Sequence, residues 1–281
     1  MSKKIRGKKS VARFFLYVVL LLLSAFYLLP FVWMVRSSLM PMYQIFTVPP
    51  ILLPDPVEWG NYSQAMSAVP FGQYYLNTSF ITLMTVLGTV VSSTLSAYAF
   101  SRVQWPGRDK IFGLLMTGMM LPFAVTLIPL FIGWKTVHAI DTYWPLILPA
   151  WLGGGMSNVF LLRQFFRGIP REYDEAAFVD GAGHIVIFTR IILPLTKPAI
   201  ITVAIFSFLA SWNDFLGPLV YLNSESRYTV ALGLQQFMGT YSAQWHLMMA
   251  ASTVAIIPVV VLFFFGQRYL IEGISLTGVK G

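Results

Sequence analysis

Residues 170–194 read PREYDEAAFVDGAGHIVIFTRIILP, with five acidic or basic side chains in their first eleven positions, inside a chain that is otherwise apolar. Pro170 suits the first turn of a helix, where its missing N–H costs nothing, and Glu172, Asp174 and Glu175 place negative charge near the positive end of the helix dipole. A helix is expected to start here. Tyr173, Ala176, Ala177 and Gly181 follow at helical spacing and give a face of mostly small side chains, over which another protein surface can approach closely. Gly181 and Gly183 then stop or bend the helix. A second helix over about 184–193 is more apolar and ends where Pro194 and Pro198 disfavour continuation. The pair forms an L-shaped bracket at a membrane surface. On periodicity alone such a bracket is an interfacial amphipathic segment between two spans.

Hydrophobic residues make up 57% of the 281 and charged ones 11%, and the mean hydropathy is +0.70. These values exclude an ordinary soluble domain and indicate an all-α membrane protein, with six transmembrane helices joined by short connections. Six spans consume nearly all of the chain, so residues 1–281 form a single transmembrane domain. The net charge of +8 follows loops rather than one soluble face, which argues against nucleic acid as a partner. With no cysteine, disulfides, thiol catalysis and cysteine metal sites are excluded.

The basic stretch 1–13 leads into an apolar run over 14–35, too long for a typical signal sequence, which reads as an uncleaved first span with its N-terminus in the cytoplasm. Residues 36–74, rich in proline and aromatics, form an external loop with a short helix near 62–68. Spans two to six are expected over about 75–100, 111–134, 143–162, 199–221 and 247–266. Pro122 and Pro129 in the third, and Pro145, Pro149 and Gly153 to Gly155 in the fourth, predict kinked or partly unwound helices facing protein or a wet cavity. Lys and Arg divide sixteen against three between the two sides, which places both termini, the 163–198 segment and the tail in the cytoplasm.

The spacing of the opening stretch adds a second reading. Glu175-Ala176-Ala177, three residues, Gly181, nine residues, Ile191, one residue and Leu193-Pro194 resembles, position for position, the EAA loop of permease subunits of bacterial binding-protein-dependent ABC importers. Further pieces extend the likeness to the carbohydrate branch of that family, of the maltose type: FYLLPFVWMVRSSL at 26–39, DTYWPLILPAW at 141–151, FLLRQFFRGIPREYDEAAFVDGA at 160–182, SWNDFLGPL at 211–219 and GQRYLIEGISLTGVKG at 266–281. The resemblance implies that Tyr173, Glu175, Ala176, Ala177, Asp180, Gly181, Ile191, Leu193 and Pro194, within a coupling loop over about 168–195, dock a separate ATPase. It implies a five-helix import core over 75–270, a second homologous permease, two copies of the ATP-binding subunit, an extracytoplasmic solute-binding protein, a sugar substrate and a place in the bacterial cytoplasmic membrane. The tail over 272–281, with Gly278 and Lys280, would reach between the ATPase subunits. Related loops occur in importers of peptides or polyamines.

No GxxxxGK[ST] occurs, so no backbone cradle for ATP phosphates is expected here; ATP and Mg belong to the partner ATPase, and this chain needs no cofactor. Without HExxH or GxSxG, and with His138, His184 and His246 in separate segments, an enzyme finds no support. A secondary transporter or channel commonly carries inverted repeats or paired intramembrane ions, whereas Asp214 stands alone in its span. Fifteen residues beyond Ala199, it sits roughly 22 Å up the helix, in the outer half of the bilayer. Trp212, Asn213 and Asp214 suit stacking on, and hydrogen bonding to, a polyhydroxylated solute. Alternatively Asn213 and Asp214 satisfy a helix broken at Gly217-Pro218, or meet the partner permease. The loop over 222–246, with Glu225, Arg227, Gln235, Gln236 and Tyr241, is either a solvated connector or, by the resemblance, an arm reaching the solute-binding protein.

Overall fold

The computed structural model describes residues 2–239 and 243–278, with side chains from 13 onward except those of Phe123 and of residues beyond 269. The helices are α1 (Ser2–Ser38), α2 (Met42–Ile45), α3 (Gly60–Ala68), α4 (Phe71–Ser101), α5 (Arg108–Gly118), α6 (Phe123–Thr136), α7 (Trp144–Trp151) and α8 (Met156–Gly168). They continue as α9 (Glu172–Val179), α10 (His184–Ile187), α11 (Leu193–Leu195), α12 (Lys197–Trp212), α13 (Leu216–Tyr221), α14 (Val230–Gln236), α15 (Trp245–Ala255) and α16 (Ile257–Gly278). Two compact units divide the chain, Met1–Val69 with Leu234–Ile256, and Pro70–Gly233 with Ile257–Gly281.

In the first unit α15 packs against α1, α2 and α3. Ala65 of α3 and Ala250 and Ala251 of α15 are fully buried, and residues this small let helices without a water-driven hydrophobic force approach closely. The predicted short helix near 62–68 is α3. Asn61 fastens it by donating to the carbonyls of Ser38 (3.0 Å) and Met40 (2.9 Å). Most of α1, by contrast, exposes Phe, Leu and Tyr all round, as expected of a helix whose solvent is hydrocarbon.

The second unit is built on α4, which packs against α7, α8 and α12, with α16 packed on α12. Its amphipathicity is inverted. Leu76, Phe80, Leu83, Leu87, Val91 and Leu95 make an exposed stripe, whereas Asn77, Thr78, Thr82, Thr89, Ser93 and Thr94 are buried. Buried hydroxyls on such a helix find acceptors one turn back: Thr78 donates to the Tyr74 carbonyl at 2.9 Å and Thr94 to that of Val90 at 2.7 Å. Near the C-terminal end of α4, Ala97 and Tyr98 join Phe112, Leu162, Phe166, Ile187, Ile192 and Val203 in a hydrophobic core.

Among the described residues, Arg13–Ser38, Phe71–Ser101, Trp144–Gly168 and Trp245–Tyr269 are each long and apolar enough to cross a membrane. The segments His184–Leu195 and Lys197–Trp212 would make a fifth only through a bend of 78°. The interruption expected in the third span over 111–134 divides it into two helices, α5 and α6. Pro122, extended at ψ 139°, begins the second of them, because its ring disfavours helical backbone at Leu121 and it has no N–H to continue the ladder. The interruption predicted in the fourth span falls between α7 and α8, where Gly153, Gly154 and Gly155 all have positive φ. The fifth span is likewise split, at Asn213 to Phe215 between α12 and α13.

Candidate functional site

The bracket forms where the sequence places it. Glu172, Asp174 and Glu175 fill the first turn of α9, and the helix closes at Gly181 (φ 81°). There the Ala182 N–H donates to the Ala177 carbonyl at 2.9 Å and the Gly181 N–H to that of Phe178 at 3.0 Å, the paired bonds of a Schellman cap around a left-handed residue. The second arm differs from expectation. It does not end at Pro194: α10 passes into a π-helical turn over Phe188–Ile192 and then α11, which carries Pro194 in its first turn. The wider π turn shifts the hydrogen-bond register just where the proline ring and missing N–H would break an α-helical one. The sharp bend follows at Thr196, and Pro198 opens α12.

The motif residues do not share one face. Tyr173, Glu175, Ala176 and Asp180 are exposed, as are Gly181 and Pro194. Ala177 and Ile191 instead pack against the hydrophobic core at the end of α4, and Leu193 is half-buried. What holds α9 in place is a residue read from the sequence only as a topological charge. Arg102, buried, donates from Nη1 to Asp174 Oδ2 at 2.9 Å and from Nη2 to the carbonyls of Ile169 (2.7 Å) and Phe166. The side chains of the pair are 3% and 12% exposed, so this is an ion pair out of water. One guanidinium thereby ties α4 to the end of α8 and the first turn of α9. Beside it Tyr98 Oη lies 3.2 Å from His184 Nδ1, and Phe178 meets the His184 ring edge-on. A second arginine braces the same end: Arg163 donates to the Phe100 carbonyl and to Asp109 Oδ1, both at 3.0 Å. The hydrogen bond from Arg108, helped by the charges of Arg163 and Arg167, holds the Asp109 carboxyl below its ordinary range.

Further along α4 lies a cavity of about 650 Å³, whose walls include Thr85 and Thr89 of α4, Asn158 of α8, Ser207 and Ser211 of α12, and Asp214. The interrupted helices frame it. Gly154 and Gly155 form part of the wall, and Asp214 sits in the break before α13, its Oδ1 accepting the Gly217 N–H at 3.1 Å. The expected trio is therefore divided. Trp212 is buried, stacks on Phe208 and meets Tyr75 edge-on, and it lines a separate small cavity with Ser79, Val86 and Pro258. Trp212 is the last residue of α12, so the turn that follows sends Asp214 and Trp212 to different sides. Asn213 is exposed and caps α12 through the Leu209 carbonyl at 2.8 Å.

At the N-terminal end of α4, residues 222–230 are fastened rather than free. Asp141 (φ 59°) accepts the N–H groups of Asn223 and Ser224 at 2.9 Å each, with Arg227 3.7 Å away. Asn77 donates to the carbonyls of Ser226 and Tyr228, both at 2.9 Å, and Tyr74 Oη donates to Glu225 at 3.1 Å. Burial opposes ionisation of Asp141, but the bonds from Ser224 and Asn223 and the charge of Arg227 outweigh it, and its carboxyl is held below the ordinary value. Tyr241 and Lys280 lie outside the described residues, and Gly278 is the last residue of α16. Among the described residues no group of three or more His, Cys, Asp or Glu is placed to hold a metal ion.

Interrupted apolar helices around a polar cavity, with a polar bracket pinned to the end of the central helix, define a polytopic helical membrane protein. The chain belongs to the family of binding-protein-dependent transport system inner membrane components, whose model matches residues 90–275. It is similar to the arabinooligosaccharides transport system permease protein AraQ of Bacillus subtilis, 34% identical over 275 residues and covering 97% of each chain. It also resembles the maltodextrin transport system permease protein MdxG of the same organism, 36% identical over 210 residues, 74% of this chain and 75% of the relative. The same fold occurs in a crystal structure of a bacterial ABC transporter involved in the import of the acidic polysaccharide alginate. There the TM-score is 0.80 and the identity 23%, over 92% of this chain and 96% of that one.

Proposed function

We propose that this chain is the permease subunit of an ATP-driven sugar importer, with six membrane crossings, both termini cytoplasmic and the bracket on the cytoplasmic side. It pairs with a second permease, receives sugar from an extracytoplasmic binding protein, and docks one of two ATPase copies through α9 and the arm that follows. ATP and Mg stay on the ATPase. The observation that carries this reading is the division of labour within the bracket: Arg102 and Ala177 anchor it inward, while Tyr173, Glu175 and Ala176 face outward. A docking element that transmits force needs both a rigid root and an open face. The sugar assignment is supported by the oligosaccharide permeases to which the chain is similar.

The test is reconstitution with the partner subunits, measuring ATP hydrolysis stimulated by binding protein loaded with arabinooligosaccharide or maltodextrin. Ala176→Leu adds bulk to the open face and is expected to remove stimulation while leaving the unfolding temperature of the isolated permease unchanged. Ala177→Leu presses on the chain's own core and is expected to lower stability by about 1–3 kcal/mol. Unchanged stimulation in Ala176→Leu overturns the docking face, and stimulation by a peptide or polyamine in place of any sugar overturns the substrate class.

A further inference from the structure

The cavity carries information about the solute that the bracket does not. Its polar wall is made of hydroxyls and one amide, among them Thr85, Thr89, Asn158, Ser207 and Ser211, and among the described residues that line it Asp214 is the only ionisable one. Neither Lys, Arg nor His is among the described lining residues. At about 650 Å³, the space is of the size that takes a small ligand. Hydroxyls donate and accept by rotating, so such a wall meets a polyol in many orientations without holding any one of them tightly. That property suits a path through which a solute must also leave.

We propose that this cavity is an anion-excluding subsite for neutral or cationic saccharides, with Asp214 as the residue that sets the charge selectivity. The inference rests on the transport reading above and names its substrate class. It requires an ionised Asp214. Ionised, the carboxylate repels a uronate directly. A cationic amino sugar gains from the ionised carboxylate, and a neutral sugar is indifferent to it. Structure around Asp214 fixes the charge in place: its Oδ1 takes the Gly217 N–H, and a Cβ on Gly217 would collide with its Oδ2, so the group is held at the break between α12 and α13.

The chain contains no cysteine, which makes the experiment direct. Ser211→Cys, three residues before Asp214, and Ser157→Cys, on another wall of the cavity, are each introduced into the full chain within its assembled complex in membrane vesicles. Each is labelled with a cationic and an anionic methanethiosulfonate reagent, and each rate is divided by that reagent's rate with free cysteine. The expected result is a cation preference of roughly tenfold or more at Ser211→Cys, as a one-signed cleft concentrates its counter-ions. Asp214→Asn in the same background keeps a side-chain acceptor for Gly217 and is expected to bring that preference close to one. Equal rates before the Asp214 change, an undiminished preference after it, or labelling at neither position by either reagent each overturns the proposal. Sugar-stimulated ATP hydrolysis separates the two claims. Stimulation without charge preference sinks this inference alone, whereas hydrolysis that no sugar stimulates removes the transport reading and the saccharide assignment with it.

Discussion

The two ends of α4 are both fastened by polar groups, yet in opposite styles. The helix has 31 residues and is thus about 46 Å long. At its N-terminal end the load is spread: Asp141, Asn77, Thr78 and Tyr74 share the loop over 222–230 through several separate hydrogen bonds, most of them to backbone. At its C-terminal end one guanidinium gathers a carboxylate and two carbonyls in a buried site, and the buried Asp174 Oδ1 has no hydrogen-bond partner among the described residues. A distributed clasp survives the loss of any one bond. A concentrated one moves as a unit or fails as a unit, which is what the lever proposed between α4 and α9 requires.

The largest effect should therefore come from Arg102→Ala. It strands a buried carboxylate and two carbonyls, and about 3–5 kcal/mol of stability should be lost, with ATPase stimulation lost too. Adding Asp174→Ala removes the stranded charge and should recover part of the loss, which thermal unfolding of the single and double variants measures as a coupling. A loss below about 1 kcal/mol for Arg102→Ala would erase the contrast between the two ends. Next in size is Gly154→Ala at the break between α7 and α8. Its φ is 68°, and a Cβ there would lie 2.6 Å from the Ser93 nitrogen and 2.7 Å from the Thr89 carbonyl oxygen, backbone atoms of α4 that cannot swing aside. Strain and overlap together should cost about 2–4 kcal/mol. Gly181→Ala is the control: its φ is similar, at 81°, but nothing lies within 4 Å of the added carbon, so only the left-handed strain of about 1–2 kcal/mol applies. Equal losses at the two glycines would mean that the contact with α4 contributes nothing.

What could be read from the residues follows from how local the cause is. The start of α9 at its acidic turn and its stop at Gly181 depend on neighbours within five positions, and both were legible. So were the interruptions of the spans, because proline and glycine act on their own backbone. The π turn before Pro194 was not, since a proline can be met either by ending the helix or by widening it, and the core that receives Ile187 and Ile192 decides. Arg102 was counted as a charge on a loop; its partner is 72 positions away, and only folding of α9 against the end of α4 brings them together. Trp212 parted from Asp214 for a related reason. Its place beside Asp214 in the sequence suggested one wall, but the helix ends between them, so adjacency in the chain became separation in space.

The smallest expected effect lies at the N-terminal end of α4. Asp141→Asn keeps an oxygen for the N–H groups of Asn223 and Ser224, and gives up the acceptor of the Ser224 hydroxyl and the charge that faces Arg227 at 3.7 Å across a site where that arginine is 43% exposed. Solvent screening limits such a pair to about 0–1 kcal/mol. The pH response follows from the direction of the shift. The folded-state carboxyl is held below its ordinary value of 3.8, so the stabilisation is present above that value and is lost as pH falls through the lower, folded one. Hydrogen exchange of the amides over 222–230 should accordingly show constant protection, after correction for intrinsic rates, from about pH 5 to 8, and a decline only below about pH 4. In Asp141→Asn the protection should be slightly lower and should lose that acid dependence. If instead the variant releases the whole segment at neutral pH, the clasp is not distributed at all, and Asp141 holds its end of α4 as singly as Arg102 holds the other.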